Sequence, residues 1–124
     1  MKEARRGLIL LVHGSRDPAW PEPLAKLLAE LSAASGQRFS LACLQFGRPT
    51  LEEAVSELAG EGVLEIVIVP GFISGRGHVL RDLPALERKV RGRYPGARLT
   101  MTAALGEQPE AREAFKACLL RLVR

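Results

Sequence analysis

The chain of 124 residues holds two histidines, and the two stand in similar settings. His13, in "LLVHGSRDP" (residues 10–18), ends an aliphatic run and precedes glycine and a turn, while His78, in "GFISGRGHVLRDLP" (71–84), follows two glycines beyond another apolar run. Neutral imidazole binds cobalt, nickel, iron and zinc, and near pH 7 it also accepts a proton. A single histidine is ordinarily a hydrogen-bonded side chain and nothing more. Two of them, each beside glycine that admits backbone or a bulky ligand, point to a shared function. Two nitrogens hold a metal incompletely, so the site implied is open and exchangeable. A closed structural zinc site needs four protein ligands, and neither Cys43 nor Cys118 is placed to complete one.

Other chemistries fit these residues poorly. A histidine phosphatase would place arginine before the His-Gly pair, where Val12 stands. A hydrolase elbow needs G-x-S-x-G, whereas "GFISG" (71–75) sets Ser74 one position late and Ser15 lacks flanking glycines. "GRGHVL" lacks the third glycine of a dinucleotide fingerprint. Asp17 and Asp82 read as caps of turns or helices rather than as ligands. Binding of metal without catalysis, as in a metal carrier, stays open beside enzymatic use.

The elements that would carry these histidines alternate. Leu8–Val12 is a continuous aliphatic run, as in a strand buried on both faces, and "GSRDP" stops it. Leu24, Leu27, Leu28, Leu31 and Ala34 repeat at helical spacing until Gly36. Phe39–Phe46 reads as a second strand, and Thr50 with Glu53 has the spacing of a capping box before the apolar positions Leu51, Ala54, Val55 and Leu58. "VLEIVIVP" (63–70) is a third strand rich in β-branched residues. Leu83, Leu86, Val90 and Tyr94 mark a third helix whose first turn holds Pro84, which places His78 at or just before its start. Ala97–Ala103 supplies a fourth strand, and Ala111, Phe115, Cys118, Leu119 and Leu122 a last amphipathic helix. This alternation predicts an α/β fold, a single domain over residues 1–124 with an open parallel four-stranded sheet sandwiched by helices. Such sheets bind ligands beyond the carboxyl ends of their strands, so both imidazoles reach one rim if the first and third strands are neighbours.

Composition narrows the partners. The formal charge of +4 admits an anionic ligand, but aromatics make up only 5% of residues and no basic run is interleaved with them, which argues against nucleic acid. No apolar run approaches the roughly 20 residues that cross a bilayer, and "MKEARRG" has no apolar signal segment, so a cytoplasmic protein without membrane association is expected. Cys43 and Cys118 are expected as buried thiols. Many basic residues fall in helical segments, whereas Arg16, Arg48, Arg76 and Arg81 fall in or beside loops.

Taken in order, "VHGSRDP", "RPTLEEAV" and "VPGFISGRGHVLRDLP" resemble the small sirohydrochlorin chelatases, the anaerobic-type cobaltochelatases and their ferrochelatase relatives. The third motif is the specific one. The resemblance implies insertion of a divalent ion (Co²⁺ favoured, Fe²⁺ or Ni²⁺ as alternatives) into sirohydrochlorin or a related tetrapyrrole, in the cobalamin or siroheme route, with no organic cofactor. It implies that His13 and His78 bind the metal, with His13 as proton acceptor. It further implies that Arg16, Arg48 and Arg76 clamp pigment carboxylates, although an arginine in such a place, taken alone, is more often an ordinary solvated one. The stretch Phe72, Ile73, Ser74, Gly75 and Gly77 would meet the macrocycle or a partner. Gln45 stands where many relatives carry glutamate, and an amide neither takes a proton nor ligates metal well. It either bonds the pigment edge or is a satisfied strand-end side chain. Because larger chelatases look like two such lobes facing across a cleft, the resemblance also implies a homodimer.

Overall fold

Side chains of a strand alternate between faces, and that alternation sorts the core of this protein into two layers. The computed structural model describes residues 5–75 and 81–124. Its elements are β1 (Arg6–Gly14), α1 (Glu22–Ser35), β2 (Arg38–Phe46), α2 (Leu51–Gly60), β3 (Glu65–Pro70), α3 (Leu83–Arg93), β4 (Arg98–Met101), a short 3-10 turn (Leu105–Glu107) and α4 (Pro109–Val123). All strand pairs are parallel, in the order β2-β1-β3-β4, so this is the open four-stranded α/β sheet that the alternation predicts. The condition set by the sequence is met: β1 and β3 are neighbours, with Leu11 opposite Pro70.

On one face, Ile9 and Leu11 of β1, Ile66 and Ile68 of β3 and Leu99 of β4 pack against Leu51, Val55 and Leu58 of α2 and Leu83 and Val90 of α3. On the other face, Leu10, Val12 and Val69 meet Leu28 of α1, with Leu8, Leu24 and Val67 partly buried around them. The predicted capping box is present: Thr50 Oγ1 accepts from the Glu53 N–H at 3.2 Å, and Glu53 Oε1 accepts from the Thr50 N–H at 2.9 Å. Gly36 closes α1 in the left-handed conformation.

Three expectations need correction. The third strand starts at Glu65 rather than Val63, because the Val63 N–H still bonds the Leu58 carbonyl and completes the turn that ends α2. The fourth strand stops at Met101, beyond which the chain bends into the 3-10 turn that the sequence did not signal. Cys43 is buried as expected, and burial pushes its thiol pKa up, but Cys118 is exposed. The reason lies in α4, which has no buried residue: its apolar stripe, including Leu119 and Leu122 at 65% and 64% exposure, faces outward.

Candidate active site at the carboxyl edge of the sheet

Each strand delivers its last residues to one edge. β1 ends in His13 and Gly14, β2 in Gln45 and Phe46, β3 in Pro70 followed by the Gly71–Gly75 segment, and β4 in Met101 followed by the turn that carries Glu107. The edge is shaped by a bulge. Val12 pairs with Cys43 but Gly14 pairs with Phe46, so β2 spends one more residue than β1 over the same rise, and Leu44 and Gln45 share the position opposite His13. Gly14 makes the bulge possible: its φ is +95°, and a Cβ there would lie 1.9 Å from the Phe46 carbonyl oxygen.

His13 is half-buried at the end of β1 rather than in the loop beyond it. Its ring meets Phe46 edge to face, with centroids 5.8 Å apart and planes at 65°. Among the described residues neither ring nitrogen of His13 has a hydrogen-bond partner, which leaves both to a ligand. Arg16 lies over the same phenyl ring, its Cζ 4.9 Å from the centroid. Asp17 does what a turn cap does: it accepts from the Ala19 N–H, and its own N–H donates to Ser15 Oγ.

The segment after β3 enters the same edge. The Gly71 N–H donates to the Leu11 carbonyl at 2.7 Å, so the chain leaves β3 two residues along from His13. Phe72 is half-buried, and Ile73 stands 77% exposed. The 3-10 turn supports this segment, since the Gly106 N–H donates to the Phe72 carbonyl and a Cβ at Gly106 would lie 2.0 Å from the Ile73 carbonyl oxygen. Gly75 is half-buried against the Glu107 carboxylate. Ser74 is exposed. Arg76, Gly77 and His78 lie outside the described residues.

Gln45 is exposed at the rim. Arg48 is exposed too, but its guanidinium is engaged: Nε donates to Glu53 Oε1 at 3.1 Å and Nη2 to Glu53 Oε2. That hydrogen-bonded pair is the main cause lowering the Glu53 carboxyl pKa from 4.5 to about 2, and it raises that of Arg48. The structure thus brings His13, Arg16, Gln45 and Phe72–Gly75 to one edge and ties Arg48 to α2. Among the described residues no group of three or more metal-ligating side chains exists. Phe46 and Glu107 were not anticipated. Phe46 was legible only as the last apolar residue of a strand, and Glu107 belongs to a turn with no pattern of its own beyond Gly106.

The CbiX family model matches residues 7–121. A protein named sirohydrochlorin cobaltochelatase from Saccharolobus solfataricus is 36% identical over 107 residues, covering 79% of each chain. A solved CbiX protein from Marinobacter aquaeolei VT8 superposes with a TM-score of 0.79 at 28% identity, over 95% of this chain and 94% of that one. The fold also matches the sirohydrochlorin chelatase SirB from Bacillus subtilis subspecies spizizenii in complex with cobalt, with a TM-score of 0.75 at 21% identity. This chain spans half the length of that SirB chain.

Proposed function

The chain belongs to the CbiX family, and from that premise we propose that it is a sirohydrochlorin cobaltochelatase, a cytoplasmic enzyme that inserts Co²⁺ into sirohydrochlorin. The observation that carries the reading is His13: a half-exposed imidazole with no hydrogen-bond partner among the described residues, at the carboxyl edge where a parallel sheet binds ligands. Insertion of Co²⁺ expels two pyrrole N–H protons, and the products are the cobalt-bound pigment and two H⁺. Neutral imidazole suits both halves of that exchange, as a ligand with coordination positions to spare and as acceptor of one proton. Residues 1–124 then act as one chelatase lobe. His78 is assigned as second metal ligand, and Arg76 and Gly77 as pigment contacts, on the sequence motif alone.

The remaining site residues take roles that follow from their exposure. Ile73, held out by the Gly106 contact, offers an apolar face to a flat macrocycle, with Phe72, Ser74 and Gly75 beside it. Arg16 meets a peripheral carboxylate, and Gln45 bonds the pigment edge. Arg48 reaches a pigment carboxylate only by sharing or leaving Glu53.

We also propose that the working form is a homodimer built by exchange of α4. Two surfaces of the same chain support this. α4 presents Phe115, Leu119, Leu120, Leu122 and Val123 to solvent, and among the described residues its one sustained neighbour is the 3-10 turn. Among the described residues the second face of the sheet is covered only by α1, whose Leu27 and Leu31 are exposed, while Leu8 and Val67 are only partly buried. A helix stripe without a floor and a sheet face that one helix covers incompletely, on one chain, are complementary between two copies.

The test is anaerobic mixing of the protein with sirohydrochlorin and Co²⁺, with Fe²⁺ in a parallel arm, followed by pigment absorbance. Acceleration over the spontaneous rate, lost in His13→Ala and in His78→Ala, supports the assignment. Tight Co²⁺ binding without pigment binding or acceleration would make the protein a carrier instead.

A further inference from the structure

We propose that Phe46 is a positioning residue for metal insertion, whose single ring holds both the His13 imidazole and the Arg16 guanidinium in place. The inference rests on the chelatase reading above and adds to it a residue that touches neither metal nor pigment.

Three observations converge on this ring. It is the last residue of β2, it is half-buried, and it is locked to β1 by the Gly14 pairing, in which its own carbonyl fills the space of a Gly14 side chain. The His13 ring meets it edge to face at 5.8 Å, an arrangement that the positive ring edge and negative ring face favour. The Arg16 guanidinium lies 4.9 Å from its centroid, within cation–π range. Neither His13 nor Arg16 has a hydrogen bond or ion pair through its side chain among the described residues, so Phe46 is the contact that orders both. A β2 residue therefore sets the geometry of two β1-side groups with different tasks. One is the group that would bind metal and accept a proton, and the other would bind a carboxylate of the pigment.

The two tasks separate kinetically. Disorder of His13 lowers kcat, whereas disorder of Arg16 raises the KM for pigment. In Phe46→Leu, which keeps an apolar side chain and removes the ring, kcat for cobalt insertion is expected to fall about tenfold and the pigment KM to rise about threefold to tenfold. Phe46→Tyr keeps the ring and is expected to recover most of both losses. A purely structural role predicts otherwise, because a smaller folded fraction lowers apparent kcat and leaves KM unchanged. In an Arg16→Ala background the KM effect of Phe46→Leu should vanish while the kcat effect remains. Phe46→Met, read alongside Leu with melting temperatures for each, keeps the test valid if the leucine variant folds poorly.

A wild-type kcat and KM in Phe46→Leu, a KM effect that persists in full without Arg16, or failure of tyrosine to rescue would each overturn the inference. His13→Ala separates the two levels. If that variant inserts cobalt at the wild-type rate, the chelatase site itself is wrongly placed and the role of Phe46 falls with it. If it is inactive while Phe46→Leu is unimpaired, only the inference about Phe46 is lost.

Discussion

Truncating the outer face of α4 tests the exchanged homodimer with a number attached. Leu119 and Leu122 are 65% and 64% exposed in the single chain, so about two thirds of each side chain is still available to be buried. Full burial of a leucine side chain contributes about 1.5–3 kcal/mol, which puts the available share near 1–2 kcal/mol apiece. The double variant Leu119→Ala/Leu122→Ala removes two such groups per protomer and four per pair, and so costs assembly about 4–8 kcal/mol. That weakens the dimer by about three to six orders of magnitude in Kd. Alanine is the best helix former, and neither leucine is buried within its own chain, so the substitution leaves the lobe itself unharmed. Sedimentation equilibrium across nanomolar to high micromolar protein reads the dissociation constant, and circular dichroism checks that the helix survives. A wild-type protein that stays monomeric throughout, or a double variant that assembles as tightly as the wild type, would refute the exchange.

Two further outcomes follow from the rim and from α2. Gly14→Ala forces a side chain into a left-handed backbone position and against the Phe46 carbonyl, so a loss of about 3 kcal/mol or more is expected from strain and clash together, read as a lower urea midpoint at unchanged m-value. An unchanged midpoint would mean that the bulge relaxes freely. The Glu53 carboxyl titrates at about 2 in the folded chain against 4.5 ordinarily, so its pairing stabilises the fold fully above about pH 4.5, and that contribution drains away as pH falls toward 2. In Arg48→Ala, NMR titration should show the Glu53 midpoint rising toward 4.5, and pigment affinity should fall if Arg48 leaves Glu53 for the substrate; an unmoved midpoint would deny the pair its role, and equal affinity would remove Arg48 from the clamp.

What the sequence disclosed and what it hid divide along physical lines. Periodicity is local, so β1, α1, α2 and the capping box at Thr50 and Glu53 could be read directly, although β1 runs on through His13 to Gly14 where the aliphatic run stops at Val12. The neighbourhood of β1 and β3 was a condition in the sequence and a fact only in the sheet. The bulge opposite His13 left no such trace, because an extra residue in β2 changes the pairing without changing the pattern of either strand. Phe46 was hidden for the same reason: its role depends on what β1 sets beside it. The helical stripe of α4 was read correctly as a stripe, yet burial of Cys118 did not follow, since amphipathicity says that a helix will be covered and not by which chain.

That last distinction bears on how the site works. The 3-10 turn has two ends with two attachments: on one side Gly106 and Glu107 brace the Phe72–Gly75 segment, and on the other Pro109 begins α4 one residue after Gln108. Gln108 fixes the junction, its Nε2 donating to the Ala103 carbonyl at 3.0 Å while its own N–H bonds Leu105. Under the proposed exchange, α4 would be a lever seated on another copy at its far end and on the Phe72–Gly75 segment at its near end, coupling assembly to the geometry of Ile73. If the exchange occurs, the dissociated Leu119→Ala/Leu122→Ala chain should therefore bind pigment more weakly than the dimer, although both substitutions lie far along α4 from the rim. Equal pigment affinity in the two states, measured by fluorescence quenching on either side of the dissociation constant, would show that the turn isolates the loop from the helix rather than joining them.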